Sequence, residues 1–262
     1  MTKLHTGSRF DFSDKRVLIT GSSRGIGQAT AHIFLMYGAR VAINGRTEAS
    51  TMQSISRLGS GSHLVAAPGD VSIVKDCELI VGAAVRGLGG LDILVNSAGI
   101  AETGSLADCD EDMWDRTLDT NLKGTFFCIR AAHPYLKKSR GNIVNLASDA
   151  GLIGDKELSV YCASKGGVVN LTRALALEMA PDVRVNCVCP GYTDTDMVRR
   201  DVIDRTPDPA TTEASMKSYA PLKRIAKPEE IGKAIAYLAC DDSIFITGVA
   251  LPIDGGNTAG HG

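Results

Sequence analysis

The chain has 262 residues, of which 44% are hydrophobic and 22% are charged, and its formal net charge is -2. This composition is typical of a soluble globular protein, and the charge balance predicts neither a nucleic-acid nor a membrane partner. No apolar run reaches the ~18 residues of a transmembrane helix, and the charged segment 1–14 does not have the pattern of a signal peptide.

The seven cysteines are odd in number, scattered, and without a Cys-x-x-Cys pair. A disulfide framework or a zinc site needs a different pattern, so we expect no metal and a reducing, cytoplasmic location. Cys187 and Cys189 share one face of a predicted strand, where packing as small apolar side chains explains them without a ligand.

Short apolar runs alternate with longer helical patterns along the chain. The predicted strands cover residues 16–20, 40–44, 63–67, 91–95, 142–146, 182–188 and 249–253. The predicted helices cover residues 26–37, 48–58, 73–87 after a Ser72 cap, 110–137 and 161–179, and a last one begins at Pro228. This alternation predicts an α/β fold, a doubly wound parallel sheet with helices on both faces. We expect a tail at residues 1–14 and a single domain at residues 15–262.

One stretch, at about residues 193–219, has only weak periodicity. It is polar and charged, and it contains Pro207 and Pro209. A long segment of this kind inside a compact domain is usually functional or mobile. We therefore predict that it forms a lid over a bound substrate.

Gly21, Gly25 and Gly27 follow the first predicted strand directly. Glycine lets backbone approach a ligand closely, and the free N–H groups at the start of a helix attract a pyrophosphate. The turn therefore predicts nucleotide binding, although a tight strand–helix connection uses the same residues. The same turn also matches the Gly-x-Ser-x-Gly elbow of α/β-hydrolases, with Ser23 as nucleophile. That alternative requires a later acid and histidine, and it places the elbow on the first strand of the sheet.

Further motifs follow the glycine turn in a fixed order. They are Asp70-Val71, Asn96–Gly99, Asn121, Ser148, Tyr161-Cys-Ala-Ser-Lys165, Pro190-Gly191, Thr195, Ile246-Thr-Gly248 and Asp254-Gly-Gly256. Together they resemble the short-chain dehydrogenase/reductase family, whose fold is of Rossmann type, from about Lys15 to Gly256. Ser97 departs from that family's Asn-Asn-Ala-Gly motif.

The resemblance implies a catalytic set and a cofactor-binding set. The catalytic residues are Asn121, Ser148, Tyr161 and Lys165. The cofactor-binding residues are Gly21, Ser23, Arg24, Gly25, Ile26, Gly27, Arg46, Asp70, Val71, Asn96, Ala98, Gly99, Tyr161, Lys165, Pro190, Gly191, Thr193 and Thr195. By the same resemblance, Lys165 holds the nicotinamide ribose, Ser148 bonds the substrate oxygen, and Asn121 holds a water for proton exchange.

Tyr161 and Lys165 are four residues apart and therefore share a face of a helix. A nearby ammonium favours the phenolate, so we expect the pKa of Tyr161 to lie below its usual value of ~10. Tyr161 can then give a proton to a carbonyl as hydride arrives, or take one from an alcohol in the reverse direction. Taken alone, such a pair is also typical of an ordinary amphipathic helix surface.

The end of the second predicted strand bears on the choice of cofactor. An acid binds the ribose 2′-hydroxyl there in NAD-preferring members, and Gly45 occupies the corresponding place. Arg46 follows it, and Arg24 lies in the glycine turn, so two cations can face a 2′-phosphate. We expect NADP(H), with NAD(H) as the alternative, in which both arginines are solvated surface residues.

The expected function is hydride transfer between NADP(H) and a carbonyl or secondary alcohol. A 3-oxoacyl thioester, a ketone or a sugar fits the resemblance as substrate. A catalytically inactive, nucleotide-binding regulatory protein of the same fold is the alternative. The two long helices that cover residues 111–137 and 161–179 predict a homotetramer.

The expected pocket wall combines two segments. The 193–219 segment covers the pocket, and Asp155–Glu157 lines its mouth. Arg199 and Arg200 either bind an anionic substrate or stay solvated on a lid helix. Asp149 is a polar neighbour of Ser148 to which the sequence assigns no role.

Overall fold

The computed structural model describes residues 10–59, 61, 63–200 and 202–260. Within these residues the centre is a seven-stranded sheet in the order β3-β2-β1-β4-β5-β6-β7. The strands are β1 (Arg16–Thr20), β2 (Arg40–Ile43), β3 (Leu64–Ala66), β4 (Ile93–Asn96), β5 (Asn142–Leu146), β6 (Arg184–Pro190) and β7 (Ala250–Ile253). Every neighbouring pair is parallel. The predicted Rossmann-type fold is confirmed.

Helices cover both faces of this sheet. They are α1 (Gly25–Met36), α2 (Glu48–Leu58), α3 (Val74–Leu88), α4 (Glu111–Leu118), α5 (Gly124–Ser139), α6 (Ser159–Met179), α7 (Asp196–Arg199), α8 (Pro209–Tyr219) and α9 (Pro228–Ala239). In the part of the chain that is described, none of them is long and apolar enough to cross a bilayer.

Two apolar clusters explain why the strands are apolar along their whole length. Leu18 of β1 belongs to the cluster under α3 and α5. Its neighbours Val17 and Ile19 belong to the cluster on the other face, with Phe34 of α1 and Ile235 of α9. Because successive strand residues point to opposite faces, a sheet covered on both sides buries all of them.

The helix predicted at residues 110–137 is divided in the structure. A π-helical segment, Asp119–Lys123, joins α4 to α5 and carries Asn121. The hydroxyl of Thr125 donates to the backbone carbonyl of Asn121 over 2.8 Å. Such wide turns are frequent at functional sites. A π-helical turn holds one residue more than an α-helical turn, and this change is too small to alter the hydrophobic pattern. The sequence therefore predicted a single helix.

Two predicted boundaries also differ. Ser72 is not the cap of α3, because Ile73 occupies that position and the Ser72 N–H and hydroxyl both donate to Asp70 Oδ1. Residues 10–14 are not a detached tail, since the Phe12 N–H donates to the carbonyl of Tyr37 over 2.9 Å. Residues 1–9 of the predicted tail and residues 261–262 lie outside the described part of the chain.

The 193–219 segment, described except for residue 201, is more regular than its sequence predicts. It contains α7, a 3-10 turn (Ile203–Arg205) and α8. Ile203 and Met216 are buried with Ile225 in an apolar cluster of their own, beside the sheet rather than within it. The segment is therefore a small packed unit, and its movement as a lid stays a prediction.

The burial of Phe12 generates a test of the domain boundary. Its ring is 1% exposed and its centroid lies 4.6 Å from that of Phe34. We expect Phe12→Ala to lower the free energy of unfolding by about 3–5 kcal/mol, because the truncation leaves a cavity. Urea denaturation measures this change, with Met36→Ala as the control because Met36 is 65% exposed on α1. If both variants lose the same free energy of unfolding, Phe12 does not stabilise the domain, and residues 10–14 belong to the predicted tail.

Candidate active site

Parallel pairing gathers the carboxyl ends of the strands at one edge of the sheet. Ser148 follows β5 at this edge, and Tyr161 and Lys165 come from the first two turns of α6. The 3-10 turn Asp149–Gly151 packs closely on α6, since a Cβ at Gly151 would lie 2.8 Å from the carbonyl carbon of Lys165. The predicted catalytic residues are thereby brought together from separate elements.

The ammonium of Lys165 is the most deeply placed charge of this group. Its side chain is 4% exposed, and Nζ donates to the carbonyl of Leu146 at the end of β5 over 2.9 Å. Burial lowers the pKa of Lys165 from 10.5 to about 8, because desolvation disfavours the charged form. A Cβ at Gly99 would lie 3.3 Å from this nitrogen, so glycine keeps the space beside it open.

The phenol of Tyr161 responds to burial in the opposite direction. Burial raises its pKa from 10.0 to about 12, and the hydrogen bond with Ser148 opposes the rise. The Lys165 nitrogen lies 5.7 Å from the centre of the Tyr161 ring. The expected lowering of the Tyr161 pKa by Lys165 is therefore wrong for this structure, since desolvation drives both groups towards neutrality. Near pH ~7 the phenol keeps its proton, as a proton donor must.

Asn121 forms hydrogen bonds that link two elements at the base of the site. Its Nδ2 donates to the Ile100 carbonyl over 2.9 Å and to Ser164 Oγ over 3.0 Å. Its Oδ1 accepts from the Ile100 N–H over 2.9 Å. These bonds join the loop after β4 to α6, and they hold the Asn121 side chain in one orientation. Its predicted role in proton exchange stays a prediction.

Ser148 is linked to the C-terminal segment through Asp149. The Ser148 hydroxyl donates to Asp149 Oδ1 over 3.0 Å, and Asp149 Oδ2 accepts from Asn257 Nδ2, also over 3.0 Å. Burial raises the pKa of the Asp149 carboxyl, while the hydrogen bonds from Asn257, Ser148 and the Ala150 N–H oppose the rise. Sequence analysis missed Asn257, since it is 108 residues from its partner and lies in no motif.

The glycine turn forms a cradle whose shape fits a dinucleotide. Gly21 has φ +63°, and a Cβ there would lie 2.6 Å from the Ala98 Cα. At Gly27 a Cβ would lie 2.5 Å from the Gly21 carbonyl oxygen. The Thr20 hydroxyl accepts from the Ala98 N–H over 3.3 Å, which ties the loop after β4 to the turn. Because α1 begins at Gly25, its first N–H groups supply the anion site that a pyrophosphate needs.

The remaining predicted cofactor residues lie at the ends of strands. They are Ser23 and Ile26 after β1, Asp70 and Val71 after β3, Asn96 and Gly99 at and after the end of β4, and Pro190, Gly191, Thr193 and Thr195 at and after the end of β6. Asn96 is 3% exposed, and its Nδ2 donates to Asn145 Oδ1 over 2.9 Å, so its side chain bridges β4 and β5. Its buried Oδ1 has no hydrogen-bond partner among the described residues. The cofactor contacts of this set stay predictions.

Arg24 and Arg46 are both exposed, directly before α1 and directly after Gly45. Thr47 caps α2 by accepting from the Ser50 N–H over 3.2 Å. A Cβ at Gly45 would lie 2.6 Å from Ser50 Oγ, so an acid at that position needs Ser50 to move. With glycine at position 45, no carboxylate stands there to repel a 2′-phosphate.

A cavity of about 570 Å³ opens beside Asp149, between α8 and the segment that follows β7. The rings of Tyr192 and Tyr219 meet edge to face in its wall, 5.7 Å between centroids. Its lining also includes Asp254 and Asn257. The end of α8, the residues that follow it and the C-terminal segment thus line a space that reaches Ser148 through its neighbour Asp149.

Arg199 is engaged in ion pairs within the predicted lid. Its Nε lies 2.6 Å from Asp194 Oδ1, and its Nη1 lies 2.8 Å from Glu213 Oε2. Two carboxylates thereby neutralise the charge of this guanidinium, and its pKa is raised, first of all by the hydrogen bond with Asp194. Of the two alternatives for Arg199, the structure favours a lid residue over an anion-binding one.

The buried ammonium of Lys165 predicts a stability cost that depends on pH. Since the pKa falls from 10.5 to about 8, the unfolded chain binds more protons between these values, and stability rises with pH there. Near pH ~7 both states are charged, so Lys165→Met should raise the free energy of unfolding by about 1–3 kcal/mol. Urea unfolding near pH ~7 and ~10 should show this gain shrinking at the higher pH. Lys156→Met, at a side chain that is 91% exposed, is the control. A loss of stability in Lys165→Met near neutral pH would contradict this account.

Comparison with known proteins agrees with this geometry. Residues 21–258 match the family model described as enoyl-(acyl carrier protein) reductase. An uncharacterised oxidoreductase of Thermotoga maritima is 41% identical over 95% of this chain and 99% of its own. The meso-2,3-butanediol dehydrogenase of Serratia marcescens is 38% identical over 96% of this chain and 97% of its own.

A solved structure gives the same result at the level of the fold. It is a short-chain dehydrogenase/reductase from Brucella melitensis, also described as a glucose/ribitol dehydrogenase. It superposes with a TM-score of 0.88 at 34% identity, covering 95% of this chain and 99% of its own. The fold, the ordered motifs and these relatives together show that the chain belongs to the short-chain dehydrogenase/reductase family.

Proposed function

We propose that this protein is an NADP(H)-dependent oxidoreductase that interconverts a secondary alcohol and a carbonyl compound. Family membership establishes the coarser statement, an oxidoreductase that acts on alcohols or ketones with a nicotinamide cofactor. The observation that carries the chemistry is the meeting of Ser148, Tyr161 and Lys165 beside the glycine cradle. The preference for NADP(H) is supported by exposed Arg24 and Arg46 and by Gly45. A catalytically inactive relative has no need to keep this set complete. Family membership also replaces the hydrolase interpretation of Ser23.

The residues divide the proton chemistry among them. The nicotinamide ring supplies or accepts the hydride when it is bound. In reduction, Tyr161 gives its phenolic proton to the carbonyl oxygen, which becomes the hydroxyl of the product. In oxidation, the carbinol carbon loses its hydrogen as hydride, and the hydroxyl proton passes to the Tyr161 phenolate. Ser148 hydrogen-bonds the same oxygen and stabilises the charge that develops on it.

The pKa values of the pair bear on the protonation state that each direction of the reaction needs. A phenol with a pKa of about 12 is protonated at neutral pH and is ready for carbonyl reduction. Oxidation needs the phenolate, which a charged Lys165 ammonium favours. Since the pKa of Lys165 is about 8, the ammonium loses its proton above that pH, and we expect its stabilisation of the Tyr161 phenolate to weaken there.

Replacing the phenol tests the proposed acid/base role. We expect Tyr161→Phe to lower kcat by about 10²–10⁴-fold, because the ring remains and the transferable proton is lost. Cofactor binding, measured by fluorescence titration, should stay close to that of the wild type. Tyr237→Phe removes a hydroxyl from an exposed helix position and serves as the control. If Tyr161→Phe keeps most of its activity, another group supplies the proton.

Arg24 and Arg46 are proposed to bind the 2′-phosphate of NADP(H). We expect NADPH to bind at least about tenfold tighter than NADH, and each arginine-to-alanine change to reduce that ratio. Arg57→Ala, at an exposed position of α2, should leave the ratio unchanged. Equal affinities in the wild-type protein would refute the NADP(H) preference and leave the oxidoreductase proposal standing.

A homotetramer and a moving lid complete the proposal. The helices α4, α5 and α6 expose Trp114 (49%), Phe126 (40%) and Leu177 (83%). Large apolar side chains on neighbouring helices are typical of an interface, and closed symmetric assemblies are the usual result. Light scattering measures the mass of the assembly, and a monomer would refute the homotetramer.

Hydrogen exchange with and without NADPH tests closure of the 193–219 segment. We expect slower exchange in this segment when NADPH is bound.

A further inference from the structure

Asp149 is adjacent to Ser148, yet the reaction proposed above does not use it. The two side chains are joined by the 3.0 Å bond from the Ser148 hydroxyl to Asp149 Oδ1. The Asp149 side chain also lines the cavity of about 570 Å³. A Cβ at Gly191 would lie 3.2 Å from Asp149 Oδ2, so glycine at this position leaves room for the carboxylate. Asp149 therefore contacts both Ser148 and the cavity, so a substrate that reaches Ser148 from this cavity passes the carboxylate.

The hydrogen bonds around Asp149 leave it one further acceptor position. Its oxygens accept from the Ser148 hydroxyl, the Ala150 N–H over 2.9 Å and Asn257 Nδ2 over 3.0 Å. A carboxylate offers about four lone-pair sites. The three donors favour the ionised form, and they fix the carboxylate rigidly against Ser148.

The other charges in the cavity wall make it unfavourable for anions. The acidic side chains there are Asp149, Glu230 and Asp254, and within the described lining the basic one is Arg224. Arg224 is held by Glu230 through two contacts of 2.7 Å, so its charge is already neutralised. The surplus of carboxylates favours a neutral substrate.

Resting on the proposed function, we infer that Asp149 determines specificity by accepting a hydrogen bond from a second hydroxyl group, on the carbon next to the reacting one. Two oxygens on adjacent carbons lie about one hydrogen-bond length apart, which is also the separation of Ser148 Oγ and Asp149 Oδ1, 3.0 Å. When the Ser148 hydroxyl donates to the reacting oxygen instead of to Asp149, Oδ1 keeps only the Ala150 N–H and can accept from the second hydroxyl. The two side chains can then hold the two oxygens side by side. The substrates are neutral vicinal diols and polyols in oxidation, and α-hydroxy ketones in reduction.

This assignment separates the substrate classes that the family leaves open. A second hydroxyl donates to the carboxylate, whereas a 3-oxoacyl thioester brings a carbonyl oxygen that can only accept. That oxygen would face the negative charge of Asp149 without a proton between them. A simple secondary alcohol leaves the carboxylate without a substrate partner, and sites built for a polar group discriminate against ligands that lack it.

The test compares substrates that differ by one hydroxyl group. Turnover of butane-2,3-diol and butan-2-ol, and of cyclohexane-1,2-diol and cyclohexanol, is followed with NADP⁺ and with NAD⁺. Acetoacetyl thioester reduction is followed with NADPH. We expect kcat/KM for each diol to exceed that of its mono-alcohol at least about tenfold.

Variants then assign that ratio to the carboxylate. Asp149→Ala should bring the diol to mono-alcohol ratio close to one, mainly by raising KM for the diol. Asp149→Asn keeps the shape and one acceptor oxygen, so it should retain part of the preference. Asp204→Asn makes the same chemical change at an exposed position of the 193–219 segment and should leave the ratio intact. Because the ratio compares two substrates on one variant, any effect through Ser148 on the chemistry of both cancels.

The outcomes distinguish this inference from the function on which it rests. Equal use of diol and mono-alcohol by the wild-type protein would overturn the role of Asp149, and so would an unchanged ratio in Asp149→Ala. In either case the oxidoreductase proposal would stand. Turnover of none of the alcohols, with either cofactor, would overturn the proposed function and this inference with it.

Discussion

Parallel pairing of β4, β5 and β6 is the constraint on which the site depends. The register sets Asn96 beside Asn145 and Leu146 beside Val188. The carbonyl of Leu146 then receives the Lys165 ammonium, and Ser148 emerges two residues later. A slip of one residue would turn each strand side chain to the opposite face and move both groups out of reach. The strand register thus sets the distance between the predicted catalytic groups.

The site carries features that reduce stability and that the core offsets. Burial of the Lys165 ammonium lowers its pKa, which means that the charged form is destabilised. Asn96 Oδ1 is buried without a hydrogen-bond partner among the described residues. Apolar clusters on both faces of the sheet supply the compensating burial. Desolvation of polar groups is concentrated at the predicted catalytic residues, as is usual for active sites.

In the proposed mechanism, chemistry and specificity come from different parts of the molecule. The residues proposed to bind the reacting oxygen lie after β5 and on α6. The cavity wall comes from the end of α8, from residues 220–230 and from the C-terminal segment. That segment is held by Asp254, which accepts from the Gly256 N–H over 2.9 Å and the Thr258 hydroxyl over 2.6 Å. Its Asn257 is then placed to bind Asp149, so the wall can vary while the chemistry stays fixed.

The sequence by itself determined the fold class and predicts the reacting residues, because both depend on short-range patterns. Strand–helix alternation predicts a parallel sheet, and Tyr161 and Lys165 are joined by helical spacing alone. Tertiary structure decided what depends on burial and on distant contacts. The pKa of Tyr161 rises instead of falling, since desolvation outweighs the opposing hydrogen bond with Ser148. The bond between Asp149 and Asn257 exists only because the chain end folds back over the sheet edge, across 108 residues that no local pattern connects.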